Sequence, residues 1–250
     1  MTPEAASPQV SVILPTYNEA GNIVPMIREL NRHLAVPHEI LVVDDASPDG
    51  TARIAQEAFA QDPSVRILVR HHERGLATAI REGLERSRGQ KLIVMVTDFN
   101  HDPAITAQLV ESSARAEMVV GSRFCPGGGM ATRWRYYYSL VYSRCFVDLL
   151  LGTRVRDNLC GYYLIHRELL LRLPLDEIFY GYGDYFFRLL WHVRARGGSI
   201  LETPVFYRGR LSGKSKSNLP AMLLRYTWEV LKLRFTATRR RQPAWSASSR

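Results

Sequence analysis

The sequence predicts an open, mostly parallel α/β sheet, doubly wound, with helices on both faces. Three observations carry this. Val/Ile-rich runs alternate with segments of helical periodicity through the first half of the chain. The runs are apolar throughout, as strands covered on both faces are, and such alternation implies parallel pairing through right-handed crossovers. Several runs also end abruptly in acids, amides or an arginine. Ligands of such sheets sit beyond the carboxyl ends of the strands, so these ends are the place to look for chemistry.

"VSVILP" (10–15) is the first run, stopped by Pro15, and "AGNIVPMIRELNRHL" is the helix after it. "EILVVDD" (39–45) is the second strand and "DGTARIAQEAFAQD" its helix. "VRILVR" (65–70) precedes "GLATAIREGLERSRG", where Leu76, Ala79, Ile80, Gly83 and Leu84 follow helical spacing. "KLIVMVTD" (91–98) is the fourth strand, "PAITAQLVESSA" a helix and "AEMVVGSR" (116–123) the fifth strand. Past residue 125 the character changes. "CPGGGMATRW" is a Gly-rich loop, and "RYYYSLVYSRCFVDLLLG" (135–152) is an aromatic helix that Gly152 closes. Arg144 and Asp148 stand four apart on it, at pairing distance. "ELLLRLP" and "YGDYFFRLLWHVRARGG" read as helices, and "SILETPVFYR" as a late strand. "LPAMLLRYTWEVLKLRF" reads as a terminal amphipathic helix. One domain is expected over 1–236, with halves at about 9–125 and 126–236, then a basic, disordered tail over 237–250.

The 250 residues are 46% hydrophobic and 23% charged, enough for a sizeable core. A net charge of +9 points to an anionic partner: nucleic acid, a phosphorylated metabolite or an acidic membrane face. No nucleic-acid reader module is recognisable, so nucleic acid is not expected. Cys125, Cys145 and Cys160 form no CxxC and read as buried free thiols in a reducing compartment. The N-terminus lacks a basic segment followed by an apolar one, so no signal peptide is expected. No stretch approaches the roughly 20 apolar residues that span a bilayer.

Four strand ends carry candidate chemistry. In "PTYNEAGN" the Tyr17 ring can pack on a base and Glu19 can accept from it; equally, Asn18 or Glu19 can serve the next helix's first turn. In "VVDDASPDGT" one of Asp44 and Asp45 suits a local network and the other a nucleobase or ribose, while Asp49 or Thr51 caps a helix. "TDFNHDP" looks like oxygen ligands delivered to a metal, but Val96 stands where a second carboxylate would sit. Arg123 in "GSR" suits a diphosphate or a structural ion pair.

"PTYNE", "VVDDASPDGT", "RGLATAIREGL", "DFNHDP", "GSR", "DNLCGYY" and "ETPVFYRGRLSGKSK" occur in the order found in family 2 glycosyltransferases. Over about residues 9–217 the chain resembles, within them, polyprenol (dolichol) phosphate mannosyltransferases without transmembrane helices. The resemblance implies a GT-A fold, a GDP-sugar or UDP-sugar donor, Mg2+ or Mn2+, and a polyprenyl phosphate acceptor. It implies inverting transfer of a hexose, mannose favoured, by an enzyme peripheral to the cytoplasmic face of a membrane, or anchored there by a membrane-embedded partner protein. The first half becomes the donor half and the second the acceptor half.

Carried over, Pro15, Tyr17, Glu19 and Asp45 contact the nucleotide, with Asp44 beside them. Asp98 matches the second acid of the metal motif and Asn100 its amide, with Val96 replacing the first acid; Asp102 is expected to cap the next helix. Arg123 faces the diphosphate. Asp157 and Gly161 match the acceptor block, in which Leu159 and Tyr163 depart from the pattern. Arg210, Ser215 and Lys216 match the later phosphate-binding residues. The implied catalytic set is Asp98, Arg123, Arg210 and Lys216. The 136–151 and 219–235 helices are the candidates for reaching a lipid surface, against ordinary packing on the domain. Two other readings remain: a different acceptor, or a weakly active nucleotide-sugar-binding homologue, on account of Val96.

Overall fold

The structure, a computed structural model, describes residues 8–208 and the helical segment 219–240. Arg210, Ser215 and Lys216 lie outside the described residues, as does the tail from 241. The strands are β1 (Val10–Thr16), β2 (His38–Asp44), β3 (Val65–Val69), β4 (Lys91–Val94), β5 (Met118–Ser122), β6 (Gly129–Met130), β7 (Tyr163–His166), β8 (Ile200–Pro204) and β9 (Phe206–Tyr207). The helices are α1 (Ile23–His33), α2 (Thr51–Ala58), α3 (Leu76–Arg86), α4 (Ile105–Ser112), α5 (Arg133–Val141), α6 (Leu149–Leu151), α7 (Arg167–Leu171), α8 (Leu175–Ile178), α9 (Tyr185–Ala195) and α10 (Leu219–Arg240). Tyr142–Asp148, π-helical, joins α5 to α6 as one rod, and Gly152 ends it in the left-handed region, φ 64°.

The main sheet runs β3-β2-β1-β4-β7-β5-β8. β1 lies parallel between β2 and β4, with Val10 opposite His38 and Thr16 opposite Asp44. Every residue of β1 is buried, as its unbroken apolar run implies. Helix α3 lies on β1 and β2 at Gly83, where a Cβ would come 2.5 Å from Ile13 Cγ2 and 3.0 Å from Val43 Cγ2. Glycine is what allows that approach. One core fills both faces of the sheet, and a smaller cluster of Val147, Leu151, Phe187, Tyr226 and Val230 binds the α5–α6 rod to α9 and α10.

Two elements depart from expectation. The fourth strand stops at Val94, not Asp98, because the chain turns out of the ladder after Met95, whose N–H still reaches Ile13 O at 3.3 Å. "DNLCGYY" also leads directly into a strand. β7 is antiparallel to both neighbours and separates β4 from β5. Its four residues are too few to show a period, and only the ladder reveals it. α10 also extends to Arg240, past the expected helix end at 235.

Candidate active site

The tips of β1 and β2 are tied into one rim. Asp49 Oδ2 accepts from Ala20 N (3.0 Å), and its Oδ1 from Thr51 N (3.0 Å) and Thr51 Oγ1 (2.6 Å). Thr51 Oγ1 accepts from Glu19 N (2.9 Å), and Glu19 itself accepts from Asn22 Nδ2 (2.7 Å). Pro15 stands opposite Val43 in the register. The paired acids divide their work. Asp44 is saturated locally, by Thr16 Oγ1 (3.1 Å), Ser47 N (2.8 Å) and Ser47 Oγ (2.5 Å). Asp45 Oδ2 accepts from Gly75 N (2.8 Å). Its Oδ1 meets buried Arg70 Nε at 3.4 Å, a charge contact without hydrogen-bond alignment, so this buried oxygen has no hydrogen-bond partner. Burial pushes the Asp45 carboxyl up, against the Gly75 N–H and the Arg70 charge. Arg74 stacks over the Tyr17 ring, 4.4 Å from its centroid.

Gly75 is followed by Leu76, which lines a cavity of about 460 Å³. One wall is polar: Asp98, Asn100, His101 and Arg123, with Val96 beside them. The rest of the lining is mostly aromatic and apolar, Trp134, Tyr138 and Tyr142 from the α5–α6 rod and Met222, Leu223 and Tyr226 from α10, with Arg135 and Ser139 of the rod among them. Of the expected nucleotide residues, only Asp98 and Arg123 line this cavity; Pro15, Tyr17, Glu19, Asp44 and Asp45 occupy the adjoining rim, joined to it through Gly75 and Leu76.

Asp98 and Asn100 form a closed unit. Asn100 donates from its backbone N–H to Oδ1 (3.1 Å) and from Nδ2 to Oδ2 (2.6 Å). Phe99 between them is left-handed, φ 57°. Asn18 (φ 57°) and Ala46 (φ 51°) share this conformation directly after Tyr17 and Asp45. Three strained residues thus follow three candidate ligands, a distribution typical of functional sites. Asp102 does hold the entry to α4, its Oδ1 accepting from Ala104 N (3.0 Å), and it also pairs with Arg208 (2.8 Å). Among the described residues no three His, Cys, Asp or Glu side chains converge as a metal cage. One carboxylate and one amide fit a magnesium-type ion that draws its other ligands from a substrate diphosphate and water.

Arg123 is paired. Its Nε and Nη2 donate to Asp157 Oδ2 and Oδ1, both at 2.7 Å, and its backbone N–H adds 3.0 Å to Oδ2. Burial pulls the guanidinium down, but the Asp157 charge and hydrogen bonds reverse this and hold it above its ordinary value. His101 stacks on Tyr162 (4.9 Å between centroids) and meets Cys160 Sγ through Nε2 at 3.4 Å, while its buried Nδ1 has no partner. Burial first, then Arg123, lowers its pKa to about 3, so it is neutral at physiological pH. Burial and Asp157 push the Cys160 thiol up to about 12. Gly161, φ 72°, lines the cavity beside Tyr185.

α10 is fastened by buried charge. Arg188 donates to Asp184 Oδ2 (2.6 Å) and Glu229 Oε2 (3.2 Å), and Glu229 also accepts from Tyr180 OH (2.6 Å). Each of the two candidate lipid helices packs one face on the domain and leaves apolar side chains exposed on another. Tyr226 and Val230 are buried, whereas Leu224, Trp228 and Phe235 on α10, and Trp134, Tyr137, Val141 and Leu149 on the rod, are exposed. No helix among the described residues is long and apolar enough to cross a membrane.

The sequence reading missed the Gly75 N–H, the Arg74 stack, the Arg70 charge and the partnership of Arg123 with Asp157. "RGLATAI" pointed to the first two; nothing local pointed to the others.

A parallel sheet with acids at its tips and a cavity of mixed polar and aromatic lining is the frame of a GT-A glycosyltransferase. The chain belongs to glycosyl transferase family 2, whose profile matches residues 11–174. It is 34% identical over 213 residues to a polyprenol monophosphomannose synthase of Mycolicibacterium smegmatis, covering 82% of this chain and 79% of that one. It is 35% identical over 216 residues to an undecaprenyl-phosphate mannosyltransferase of Micrococcus luteus, covering 83% and 87%. A similar solved structure is glucosyl-3-phosphoglycerate synthase from Mycobacterium tuberculosis with Mn2+, uridine diphosphate and glucosyl-3-phosphoglycerate. It superposes with a TM-score of 0.68 at 20% identity, over 92% of this chain and 80% of that one.

Proposed function

We propose that this glycosyltransferase transfers mannose from a nucleotide sugar to a polyprenyl monophosphate at a membrane surface, inverting the anomeric carbon. The single observation that carries the reading is the mixed lining of one cavity, which joins polar groups suited to a diphosphate sugar with an aromatic set suited to a long apolar chain. The names of the relatives agree with it.

The base, of a GDP-sugar or UDP-sugar, lies on the rim. Tyr17 and Arg74 supply a stacking platform, Asp45 a carboxylate at the base end of the rim, and Glu19 and Pro15 the adjoining edge; Asp44 holds the loop that presents them. Mg2+ or Mn2+ would be held by Asp98 and Asn100, and when bound it neutralises charge on the leaving diphosphate. Arg123, fixed and charge-balanced by Asp157, lines the same wall and can turn its remaining N–H donor toward a phosphate oxygen. Arg210, Ser215 and Lys216 are proposed to complete phosphate binding. A phosphate monoester has its second pKa near about 6 and is already anionic, so direct displacement needs no general base. The protein positions the reactants and stabilises developing charge. Asp157 and Gly161 shape the acceptor end. His101, held neutral, adds no charge there.

The exposed apolar stripes suit a lipid surface, with basic Arg225, Lys232 and Arg234 among them on α10. Three free thiols suit the cytoplasmic face. The test incubates the protein with labelled nucleotide sugars, divalent metal and a short polyprenyl phosphate. Organic-extractable label, highest with a mannose donor, is expected. Nucleotide binding with no extractable label from any donor would overturn the acceptor assignment.

A further inference from the structure

The geometry points to a second anion site, separate from the donor and acceptor cavity, that takes the phosphate of an anionic lipid headgroup at the end of the α5–α6 rod. This rests on the membrane reading above and deepens it. A cavity of about 640 Å³ opens between the rod's C-terminal turn, the edge strand β8 and the 125–126 loop. It shares no lining residue with the first cavity. Arg144, Arg154 and Arg156 line it, against Asp148 and Glu202.

Both carboxylates are already used. Asp148 accepts from Arg144 Nη1 (3.1 Å), Thr153 Oγ1 (3.0 Å) and Arg154 N (2.7 Å). Glu202 accepts from the backbone N–H groups of Arg156 (3.0 Å) and Asp157 (3.2 Å). The guanidinium groups of Arg154 and Arg156 therefore have no carboxylate partner among the described residues. Arg194 packs behind, donating to Thr153 O (2.8 Å), and burial together with the Arg154 charge lowers its pKa. Positive charge is thus in excess at this point. Arg154 is held left-handed, φ 56°, by its N–H bond to Asp148. A non-glycine residue kept there is a strained feature that the surroundings maintain.

The occupant follows from position and charge. Leu149, 78% exposed, is on the same turn as Asp148 and continues the apolar stripe of Val141 and Trp134. A rod lying in a bilayer interface by that stripe would bring the cavity to headgroup depth. Guanidinium forks that line one cavity match a phosphate diester there.

The full chain is floated with vesicles of phosphatidylcholine alone and of phosphatidylcholine mixed with phosphatidylglycerol. The probes are wild type and the double variant Arg154→Ala, Arg156→Ala. Near an anionic surface each arginine is worth about fivefold in partition, so the double variant is expected to lose about thirtyfold on mixed vesicles. Its binding to phosphatidylcholine alone, its melting temperature and its transfer of sugar to a short soluble acceptor should be unchanged. A variant that keeps the preference for phosphatidylglycerol overturns the proposal. So does displacement of wild type from mixed vesicles by inorganic phosphate at constant ionic strength, which would mark a soluble-anion site. Wild type that binds neither vesicle sinks this inference and the membrane reading together, while transfer to the soluble acceptor tests the transferase reading separately.

Discussion

His101 should make the native state acid-sensitive in a window set by its own burial. Its pKa is lowered from 6.5 to about 3, by desolvation first and by Arg123 second. In the unfolded chain the imidazole takes a proton below about 6.5, whereas in the native state it resists until about 3. The unfolded state thus binds more protons between those values, and stability falls as pH falls through the window. Above about 6.5 the contribution is fully present. At roughly 1.4 kcal/mol per pH unit, lowering the pH to 4.5 removes on the order of 3 kcal/mol, and the whole window is worth on the order of 5 kcal/mol. The perturbation is His101→Gln, which keeps a polar side chain without a titrating proton. Urea unfolding at pH 7.5 and 4.5, at one ionic strength, measures both proteins. The variant carries its own packing cost, which is the same at both pH values. Wild type should lose on the order of 3 kcal/mol more than the variant on acidification. Parallel losses would refute the reasoning, because they would mean that His101 protonates natively near its ordinary pKa and that the cavity wall is wet and open.

Removing the charge of Asp157 by Asp157→Asn strands a buried guanidinium and should cost about 3–5 kcal/mol in urea unfolding. The double change Arg123→Met, Asp157→Leu should restore most of that stability while weakening nucleoside diphosphate binding, measured by calorimetry. Gly83→Ala would place a methyl 2.5 Å from Ile13 Cγ2 and should destabilise by about 1–3 kcal/mol, read as a lowered melting temperature. Val96→Asp supplies a second carboxylate beside Asp98 and should let Mn2+ bind without nucleotide, detected by electron paramagnetic resonance. Tight Mn2+ binding by the unaltered protein alone would contradict the single-carboxylate reading.

The donor half was legible in the sequence because its information is local. Continuous Val/Ile runs, helical periodicity and polar strand ends each occupy a few adjacent residues, and parallel pairing follows from the alternation of strands with helices, while the order β3, β2, β1, β4 came only with the structure. β7 was hidden because its place is set by partners far away in sequence: Leu92 pairs with Ile165, and Val119 with Leu164. Arg123 shows the same limit in chemistry. Its residue type allowed either a phosphate or a structural pair, and the partner that engages it stands 34 positions on. The buried Arg188, Asp184 and Glu229 group was invisible for this reason too, since an isolated arginine in a helix reads as solvated until its neighbours are known.

The charge arrangement of the polar wall bears on Val96. Arg123 is cancelled by Asp157, His101 is neutral, and Asp98 is engaged by the amide of Asn100. A hydrogen bond from an amide leaves the Asp98 charge in place, so these groups are net negative before a donor arrives and by themselves offer a diphosphate no attraction. Under the proposed function, that attraction has to come with the metal, with Arg135 on the cavity lining, and with Arg210 and Lys216. A second carboxylate at position 96 would draw the metal in earlier but would make the wall more negative toward the diphosphate itself. Valine there favours a site assembled by the nucleotide and metal together, so donor affinity should depend steeply on metal concentration while metal affinity without donor stays low.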